Sequence, residues 1–190
     1  MKKTIFILTL LAISLTACAS PVAQPPTTEP VPVEGKIRAP SFESQTYINE
    51  TVGFALEYPA QWTVNETMTG DRGTQSVLLS SPEIADLEIL PSGTTRVAVN
   101  VNQWDPKNDL AAFVEARKMA WDSSGFAIVE EEPLTLDLGL AAVRFNVQTP
   151  DGIPVEFLFA AIHDQYVTIS GEGDLALVKE IMQYLRPIGN

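Results

Sequence analysis

Hydrophobic and polar residues alternate along much of the chain after residue 42, with the two-residue period of a half-buried β-strand. The clearest case is 96–104, where Val97, Val99 and Val101 fall on one face. Similar alternation, or a short apolar run bounded by Gly, Pro or Ser, predicts the other strands. Strands are expected at 53–58, 62–64, 77–79, 96–104, 126–129, 134–138, 141–148, 155–162 and 166–170.

The order of these strands predicts a mostly antiparallel sheet. The segments 126–129 and 134–138 are expected to form one strand that bends near Pro133. The segment 155–162 is apolar at nearly every position, which indicates a central strand covered on both faces. The turn residues TPDG at 149–152 predict a hairpin just before it.

Two segments repeat apolar residues every three to four positions, as amphipathic helices do. The first is 109–122 with Asn108 as its N-cap, and the second is 175–186 with Asp174 as its N-cap. The apolar stripes contain Leu110, Phe113, Val114, Ala120 and Trp121 in the first helix, and Leu175, Val178, Ile181, Met182 and Leu185 in the second. The sequence therefore predicts the α+β class, with an α/β/α sandwich in which helices cover a mostly antiparallel sheet.

The first 18 residues, MKKTIFILTLLAISLTAC, have the pattern of an export signal. Lys2 and Lys3 precede an apolar stretch that is too short to span a bilayer. The end of the segment, LTAC, resembles a bacterial lipobox. This resemblance implies that residues 1–17 are a signal peptide, that cleavage occurs before Cys18, and that diacylglycerol is attached to the Cys18 thiol.

Cys18 is the only cysteine, which excludes an internal disulfide and a Cys-rich metal site. The alternative is an ordinary secretory peptide, which would leave a soluble protein. Lipidation accounts for the single thiol, and two or three acyl chains give durable anchoring. Ala19 follows the cysteine where Asp would signal retention in the inner membrane. The expected location is the extracytoplasmic side of the cell envelope: the outer membrane, or the outer face of the plasma membrane in a single-membrane cell.

A proline-rich stretch follows the predicted lipidation site. Six of the 14 prolines lie within 19–41, and this stretch has no aromatic residue. Residues 18–41 are therefore expected to be a disordered, lipidated stalk, because they cannot bury a core. A Pro-rich ligand for another domain is the alternative, but no basic residue flanks a clean P-x-x-P motif. The folded domain is expected at 42–190.

The beginning of this domain resembles a known family. The stretch GFALEYPAQWTV at 53–64 is similar to the opening hairpin of PsbP-like domains, in which G-F-x-x-x-Y-P-x-x-W recurs. The helix after Trp104 and the closing helix with its Leu-Arg end follow that family's order. The resemblance covers 44–189 and implies an α/β/α sandwich shared with a nuclear Ran-binding protein. Trp62 of this motif is expected to pack in the core, and ligand stacking is the alternative.

Photosynthetic members of that family assist the oxygen-evolving complex and its calcium and chloride, partly through a basic docking surface. This chain is acidic, with 12 Lys+Arg against 24 Asp+Glu and a net charge of -12. Removal of Lys2 and Lys3 with the signal peptide makes the net charge -14. The charge argues against a photosystem role, against nucleic acid as a partner, and against electrostatic docking on anionic lipid.

Candidate catalytic groups are few. His163, the only histidine, is followed by Asp164 in a predicted turn at 163–165. No G-x-S-x-G elbow surrounds Ser123 or Ser170, so an exposed turn is expected rather than a nucleophilic triad.

Two acidic segments are candidate ligand sites. The run at 130–132, EEE, predicts a solvated edge, and calcium is the alternative, although no D-x-D-x-D-G loop is present. Asp122, Glu172 and Asp174 are further candidate calcium ligands, although a helix cap already accounts for Asp174. The segment 171–174, GEGD, predicts a strand-to-helix turn, with anion binding as the alternative.

These observations favour a non-enzymatic binding or accessory module that is displayed from a membrane. The expected partners are membrane lipid, through acylated Cys18, and an envelope protein or a small ligand, without nucleic acid. No catalytic, cofactor-binding or metal-binding residue is assigned. The alternative is an enzyme, or a calcium-dependent accessory subunit, that uses carboxylates.

Overall fold

The computed structural model describes residues 38–69, 74–84, 90–102 and 109–189. These residues belong to one compact unit, Val33–Asn190. The predicted signal peptide, Cys18, most of the predicted stalk and Trp104 lie outside the described residues.

The described residues form ten strands and two α-helices, with short 3-10 turns at Pro82–Ile84 and Asp137–Gly139. The strands are β1 (Ser44–Asn49), β2 (Phe54–Pro59), β3 (Thr63–Thr69), β4 (Thr74–Ser80), β5 (Arg96–Asn102), β6 (Ala127–Thr135), β7 (Ala141–Gln148), β8 (Pro154–Ile162), β9 (Gln165–Glu172) and β10 (Arg186–Pro187). The helices are α1 (Leu110–Ser123) and α2 (Leu175–Gln183). Neither described helix is long and apolar enough to cross a membrane.

The strands form two antiparallel sheets instead of one. Seven strands pair in the order β3-β4-β5-β9-β8-β7-β6, and the other three pair in the order β1-β2-β10. The expectation of an α/β/α sandwich with a helix-covered sheet is therefore wrong. The fold is mostly antiparallel β, and residues of the second sheet share a buried core with residues of the large sheet.

The second sheet forms because β2 pairs with another strand along each of its two edges. Its strand-length apolar run pairs with β1 on one side and with Arg186–Pro187 on the other. Phe54, Leu56 and Tyr58 are buried in the same core as the large sheet's Val97 and Val99. This small sheet and α2 thus occupy the side on which the sequence predicted only a helix.

Alternation along the strands divides the core into two clusters. Leu158, Ala160 and Ile162 of β8 pack toward α2 and the small sheet. Phe159, between them in sequence, packs toward α1 on the other face. The cluster under α1 is largely aromatic: Phe113 stacks on Tyr166 with ring centroids 4.6 Å apart.

The two helices differ slightly from their predicted bounds. Asp109, one residue after the predicted cap, is the N-cap of α1 and accepts a hydrogen bond from the Ala112 backbone N–H at 2.8 Å. Asp174 caps α2, as predicted. Helix α2 ends at Gln183, before the predicted end, because the residue before a proline favours extended backbone and Arg186 precedes Pro187.

The predicted bent strand is a single edge strand, β6. Its irregularity lies between Ile128 and Glu130, and Pro133 continues the pairing with Val143. An edge position tolerates the proline because the outward side of the strand needs no backbone donor. The strand predicted to be central, β8, lies next to the true centre, β9.

Candidate functional site

Helix α1 leaves part of its own sheet face open. On β5, Val97, Val99 and Val101 face the core, so the intervening positions face the α1 side. Those positions hold Arg96, Ala98, Asn100 and Asn102. They pair in register with positions of β9 that hold Glu172, Ser170, Thr168 and Tyr166. A polar floor therefore lies beside the aromatic cluster under α1.

Three adjoining cavities follow this floor. The cavity beside α1 measures about 280 Å³ and reaches Ser170, which also lines a small cavity of about 60 Å³. That small cavity shares Arg96 and Glu172 with a third cavity of about 700 Å³ at the end of the sheet. Because neighbouring cavities share these lining residues, we consider the three together and call them the groove. The seven residues of β5 give it a length of about 20 Å, at about 3.3 Å per residue.

Hydrogen bonds organise the end of the groove that lies beside α1, which we call the inner end. Arg117 of α1 donates from Nη2 to Asn102 Oδ1 at 3.2 Å, and Asn102 Nδ2 donates to Thr168 Oγ1 at 3.1 Å. Ser76 Oγ donates to Asn100 Oδ1 at 2.8 Å. These bonds fix the side chains across β4, β5, β9 and α1 before any ligand arrives.

Aromatic side chains form the apolar wall of the inner end. Trp121 of α1 contacts Phe157 and Phe159 of β8, with ring centroids 4.8 and 5.6 Å apart. Trp121 is 9% exposed, so it shapes the wall with only a small part of its surface. The inner end thus places an apolar surface beside polar groups, a combination common in small-molecule sites.

The opposite end of the groove is built around a strand-to-helix turn. Gly173 has φ +101°, and a Cβ there would lie 2.2 Å from the Thr94 carbonyl oxygen, so glycine allows the 90–94 loop to approach the turn. Glu172 pairs with Arg96. Asp174 accepts bonds from Ala176 N and Leu177 N, so its carboxylate is engaged by the start of α2.

The acidic run of β6 does not converge on one point. Glu130 lies 3.8 Å from Lys179 Nζ, Glu131 lies 2.9 Å from Lys118 Nζ, and Glu132 pairs with Arg144. Asp122 is exposed on α1. Within the described ranges, no group of three or more His, Cys, Asp or Glu side chains is arranged to hold a metal ion.

The single histidine is remote from the groove. His163 is exposed in the β8–β9 turn, with φ 54°. Ser170 lies near the other end of β9, about 20 Å along the extended strand. Ser123 donates its hydroxyl to the Ala120 carbonyl at 2.9 Å. Neither serine is placed beside His163.

Trp62 is partly buried and packs against the larger core cluster. It does not line the groove, whose tryptophan is Trp121. Its packing agrees with the structural role expected for this position of the motif.

Sequence reasoning missed two features, one on each face of the large sheet. Glu156 of β8 is fully buried; its Oε1 accepts from Asn146 Nδ2 at 2.6 Å and lies 3.2 Å from Lys179 Nζ. Its signal was present, because a glutamate inside the apolar run VEFLFAAI is unusual unless it is paired. The groove also left a signal in RVAVNVN, where every outward position but Ala98 is polar.

The end of the predicted stalk contacts α2. Both carboxylate oxygens of Glu180 accept hydrogen bonds from Ser41, from its N–H and its Oγ, each at 2.7 Å. The Tyr184 hydroxyl lies 3.2 Å from the Ala39 carbonyl oxygen and 3.3 Å from Glu180 Oε1. Burial alone would raise the pKa of Glu180, but the bonds from Ser41 and Tyr184 outweigh it and lower this pKa.

Comparison with known proteins identifies the fold. No protein-family model and no curated protein matches this sequence. The solution structure of cyanobacterial PsbP (CyanoP) from Synechocystis matches with a TM-score of 0.56 and 14% identity, over 76% of this chain and 92% of that one. A protein of unknown function from Pseudomonas aeruginosa matches with a TM-score of 0.50 and 16% identity, over 77% of this chain and 99% of that one. The resemblance to PsbP-like proteins is thus confirmed as a resemblance of fold alone. The segment 53–64 does not form the expected opening hairpin, because β2 and β3 pair in different sheets.

Proposed function

We propose that this chain is a lipid-anchored, non-enzymatic module of the cell envelope, and that its domain binds a small ligand in the groove. The observation that carries the proposal is the polar floor beside α1. A sheet face that serves only for packing would be apolar, whereas this one holds Asn100 and Asn102. Arg117 of α1 and an aromatic wall lie beside them.

The organisation of these groups supports binding rather than simple exposure to water. The bonds from Arg117 to Asn102 and from Asn102 to Thr168 hold the side chains in one arrangement. A ligand that meets a preformed site loses less free energy to ordering of side chains. Exposed polar residues of an ordinary sheet surface have no need of such a network.

The non-enzymatic part of the proposal rests on where the reactive groups lie. His163 is at the β8–β9 turn, outside the groove. The two carboxylates in the described part of the groove are engaged: Glu172 is paired with Arg96, and Asp174 accepts from the N–H groups of Ala176 and Leu177. General acid–base catalysis needs a titratable group within reach of the bound substrate, so this distribution favours binding over turnover.

Anchoring would leave the groove accessible. The segment from Ala39 to Phe42 contacts α2, which packs on the face of the large sheet opposite to α1. A tether that joins the domain on the α2 side leaves the α1 side free to meet ligands. Mass spectrometry of the native N-terminal peptide tests the anchor: diacylglycerol on Cys18 is expected, and an unmodified thiol would contradict it.

An NMR titration tests the binding function. ¹⁵N-labelled mature protein is titrated with the small-molecule fraction of an envelope extract, and shifts are expected for the amides of 98–102 and 168–172. Ser170→Leu, which places an apolar side chain on the groove floor, should abolish them. Thr67→Leu, an exposed substitution on edge strand β3, should not. Shifts confined to other surfaces, or equal shifts in Ser170→Leu, would contradict the proposal.

A further inference from the structure

We infer that the ligand of the groove is a small organic acid, whose carboxylate is held at the inner end by Arg117 and Asn100 while its apolar part packs on Phe157 and Trp121. This inference rests on the proposed function, since it names the class of ligand that the same groove accepts. It is based on which hydrogen-bond donors and acceptors at the inner end are already paired and which remain for a ligand.

The amide acceptors at the inner end are already engaged. Asn102 Oδ1 accepts from Arg117, and Asn100 Oδ1 accepts from Ser76 Oγ. Thr168 Oγ1 accepts from Asn102 Nδ2, which leaves its own hydroxyl hydrogen available. The side-chain oxygen atoms of Asn100, Asn102 and Thr168 therefore already accept hydrogen bonds from neighbouring residues.

The groups that remain for a ligand are mainly donors. The Asn100 amide nitrogen has no hydrogen-bond partner among the described residues. Arg117 uses one nitrogen on Asn102 and retains other N–H groups of its five. Ser170 adds a hydroxyl that can donate or accept. A set dominated by N–H and O–H donors matches a ligand that is rich in acceptor oxygens.

Charge makes the match more specific. Arg117 is exposed, and no carboxylate of the described residues lies within 4.0 Å of it. Its guanidinium carbon lies 5.3 Å from the centre of the Phe113 ring, which helps to fix its position. A fixed guanidinium presents a planar fork of donors that suits a carboxylate, and one positive charge balances one negative charge.

The acidity of the rest of the chain does not oppose this assignment. Exposed charges farther away than about 8–10 Å are largely screened at physiological salt, and Glu172 lies four residues, about 13 Å, along β9 from Thr168 at the inner end. Glu172 and Asp174 lie at the other end of the groove, where a second anionic group would be repelled. These carboxylates favour a ligand with its single anionic group beside α1.

The cavity also limits the size of the ligand. Its volume beside α1 is about 280 Å³, just below the range of about 300–1,000 Å³ that is typical of small-molecule sites. Trp121 and Phe157 supply an apolar wall at this end. A short aromatic or aliphatic acid fits these dimensions and surfaces.

Calorimetry with a matched pair of probes tests the inference. 3-Phenylpropionate and its neutral amide, 3-phenylpropionamide, are titrated into the mature protein. The acid is expected to bind at least about 10-fold more tightly than the amide, because Arg117 is left without a counter-charge by the neutral probe. Arg117→Gln should weaken binding of the acid by at least about 10-fold and leave the affinity for the amide nearly unchanged.

Lys118→Gln is the matched control. It removes one positive charge from the neighbouring position of α1, but Lys118 contacts Glu115 and Glu131 instead of the groove. Binding of the acid should be unchanged in this variant. An equal loss in both variants would show a general effect of charge and would overturn the role of Arg117.

Two further results would overturn the inference in distinguishable ways. Equal affinity for acid and amide, with no effect of Arg117→Gln, would reject the anionic class while leaving the groove as a binding site. No heat of binding from either probe, and no shift of the amides of 98–102 when the probes are added to ¹⁵N-labelled protein, would reject this ligand class as well. The titration with envelope extract then decides the proposed function independently.

Discussion

Lys179 of α2 reaches across to Glu156 of β8, with 3.2 Å between Nζ and the nearer carboxylate oxygen. The glutamate side chain is 1% exposed, whereas the lysine side chain is 33% exposed. Lys179 thus brings a partly solvated charge to a carboxylate that the sheet has buried. The other carboxylate oxygen, Oε2, has no hydrogen-bond partner within the described residues. The pair therefore fixes α2 on the sheet at some cost in desolvation.

Removal of Lys179 should be strongly destabilising. In Lys179→Met the buried carboxylate loses its counter-charge, and the free energy of unfolding is expected to fall by about 3–5 kcal/mol. Urea unfolding at neutral pH measures the change. Lys118→Met is the control, because its ion pairs are exposed and such pairs contribute only about 0–1 kcal/mol.

The double variant separates the pair from the packing of α2. Lys179→Met combined with Glu156→Leu removes both charges, so its stability should return to near that of the wild type or exceed it. If the double variant is as unstable as Lys179→Met alone, the loss comes from packing of the lysine stem and the ion-pair argument fails.

The contact between Ser41 and Glu180 should make the free energy of unfolding depend on pH in the acidic range. The pKa of Glu180 is lower in the folded protein than its ordinary value of 4.5, because two bonds from Ser41 and one from Tyr184 outweigh the effect of burial. A carboxyl group whose folded pKa is lowered stabilises the protein above its unfolded pKa. This contribution is lost as the pH falls through the folded pKa.

Glu180→Gln measures that contribution. At pH 7 the variant should be less stable than the wild type by up to about 1 kcal/mol, because the contact is exposed to solvent. The difference in melting temperature should shrink as the pH falls below the ordinary value of 4.5 and through the lowered pKa of the folded protein. A difference that is constant from pH 7 to pH 3 would show that the carboxylate charge is not involved.

The boundary of the folded domain should lie at the end of the predicted stalk. A chain that begins at Arg38 keeps the bonds of Ala39 and Ser41 to α2 and the edge-to-face contact of Phe42 with Tyr184. It should melt within a few degrees of the mature chain. A chain that begins at Glu43 loses all three contacts and should melt at a lower temperature. Equal melting of the two truncated chains would show that 38–42 adds nothing to the stability of the domain.

Local patterns in the sequence were enough to predict most elements of the large sheet. The strands β5, β7, β8 and β9 alternate or run apolar over their whole lengths, and Asp174 marks the start of α2. Such features depend on neighbours in the sequence, so a single chain shows them. The fold class was wrong because the second sheet depends on a mostly polar strand, β1, and on pairing of β2 with β10, which is distant in the sequence.

The missed strands show why this pairing is hard to predict. Strand β1, SQTYIN, is mostly polar and exposed, so it lacks a strand's apolar pattern. Strand β10 is only Arg186–Pro187, and the helical pattern of the sequence extends α2 to its first residue. Both are stabilised by β2, which lies more than 120 residues before β10. The groove was missed for a similar reason. Whether a helix covers a polar strand face depends on where α1 packs, and its partners Phe145, Phe159 and Tyr166 are on β7–β9.

Glycine at position 171 should be required by the approach of α2 to β9. A Cβ at this position would lie 2.4 Å from Val178 Cγ1 and 2.9 Å from Val178 Cγ2. Val178 is fully buried in the larger core cluster, so it has little space into which it can move. Gly171→Ala should therefore force α2 away from the sheet and lower the free energy of unfolding by about 1–3 kcal/mol.

A double-mutant cycle checks that this clash is the cause. Val178→Ala alone should be destabilising, because it removes buried methyl groups and leaves a cavity. In the double variant the alanine at 171 enters the space that Val178 vacated, so the two costs should not add. A coupling energy of about 0.5–3 kcal/mol in the favourable direction is expected from chemical denaturation of the four proteins. Strict additivity would mean that the alanine at 171 acts on the backbone of β9 itself, and that close packing against α2 is not what requires glycine there.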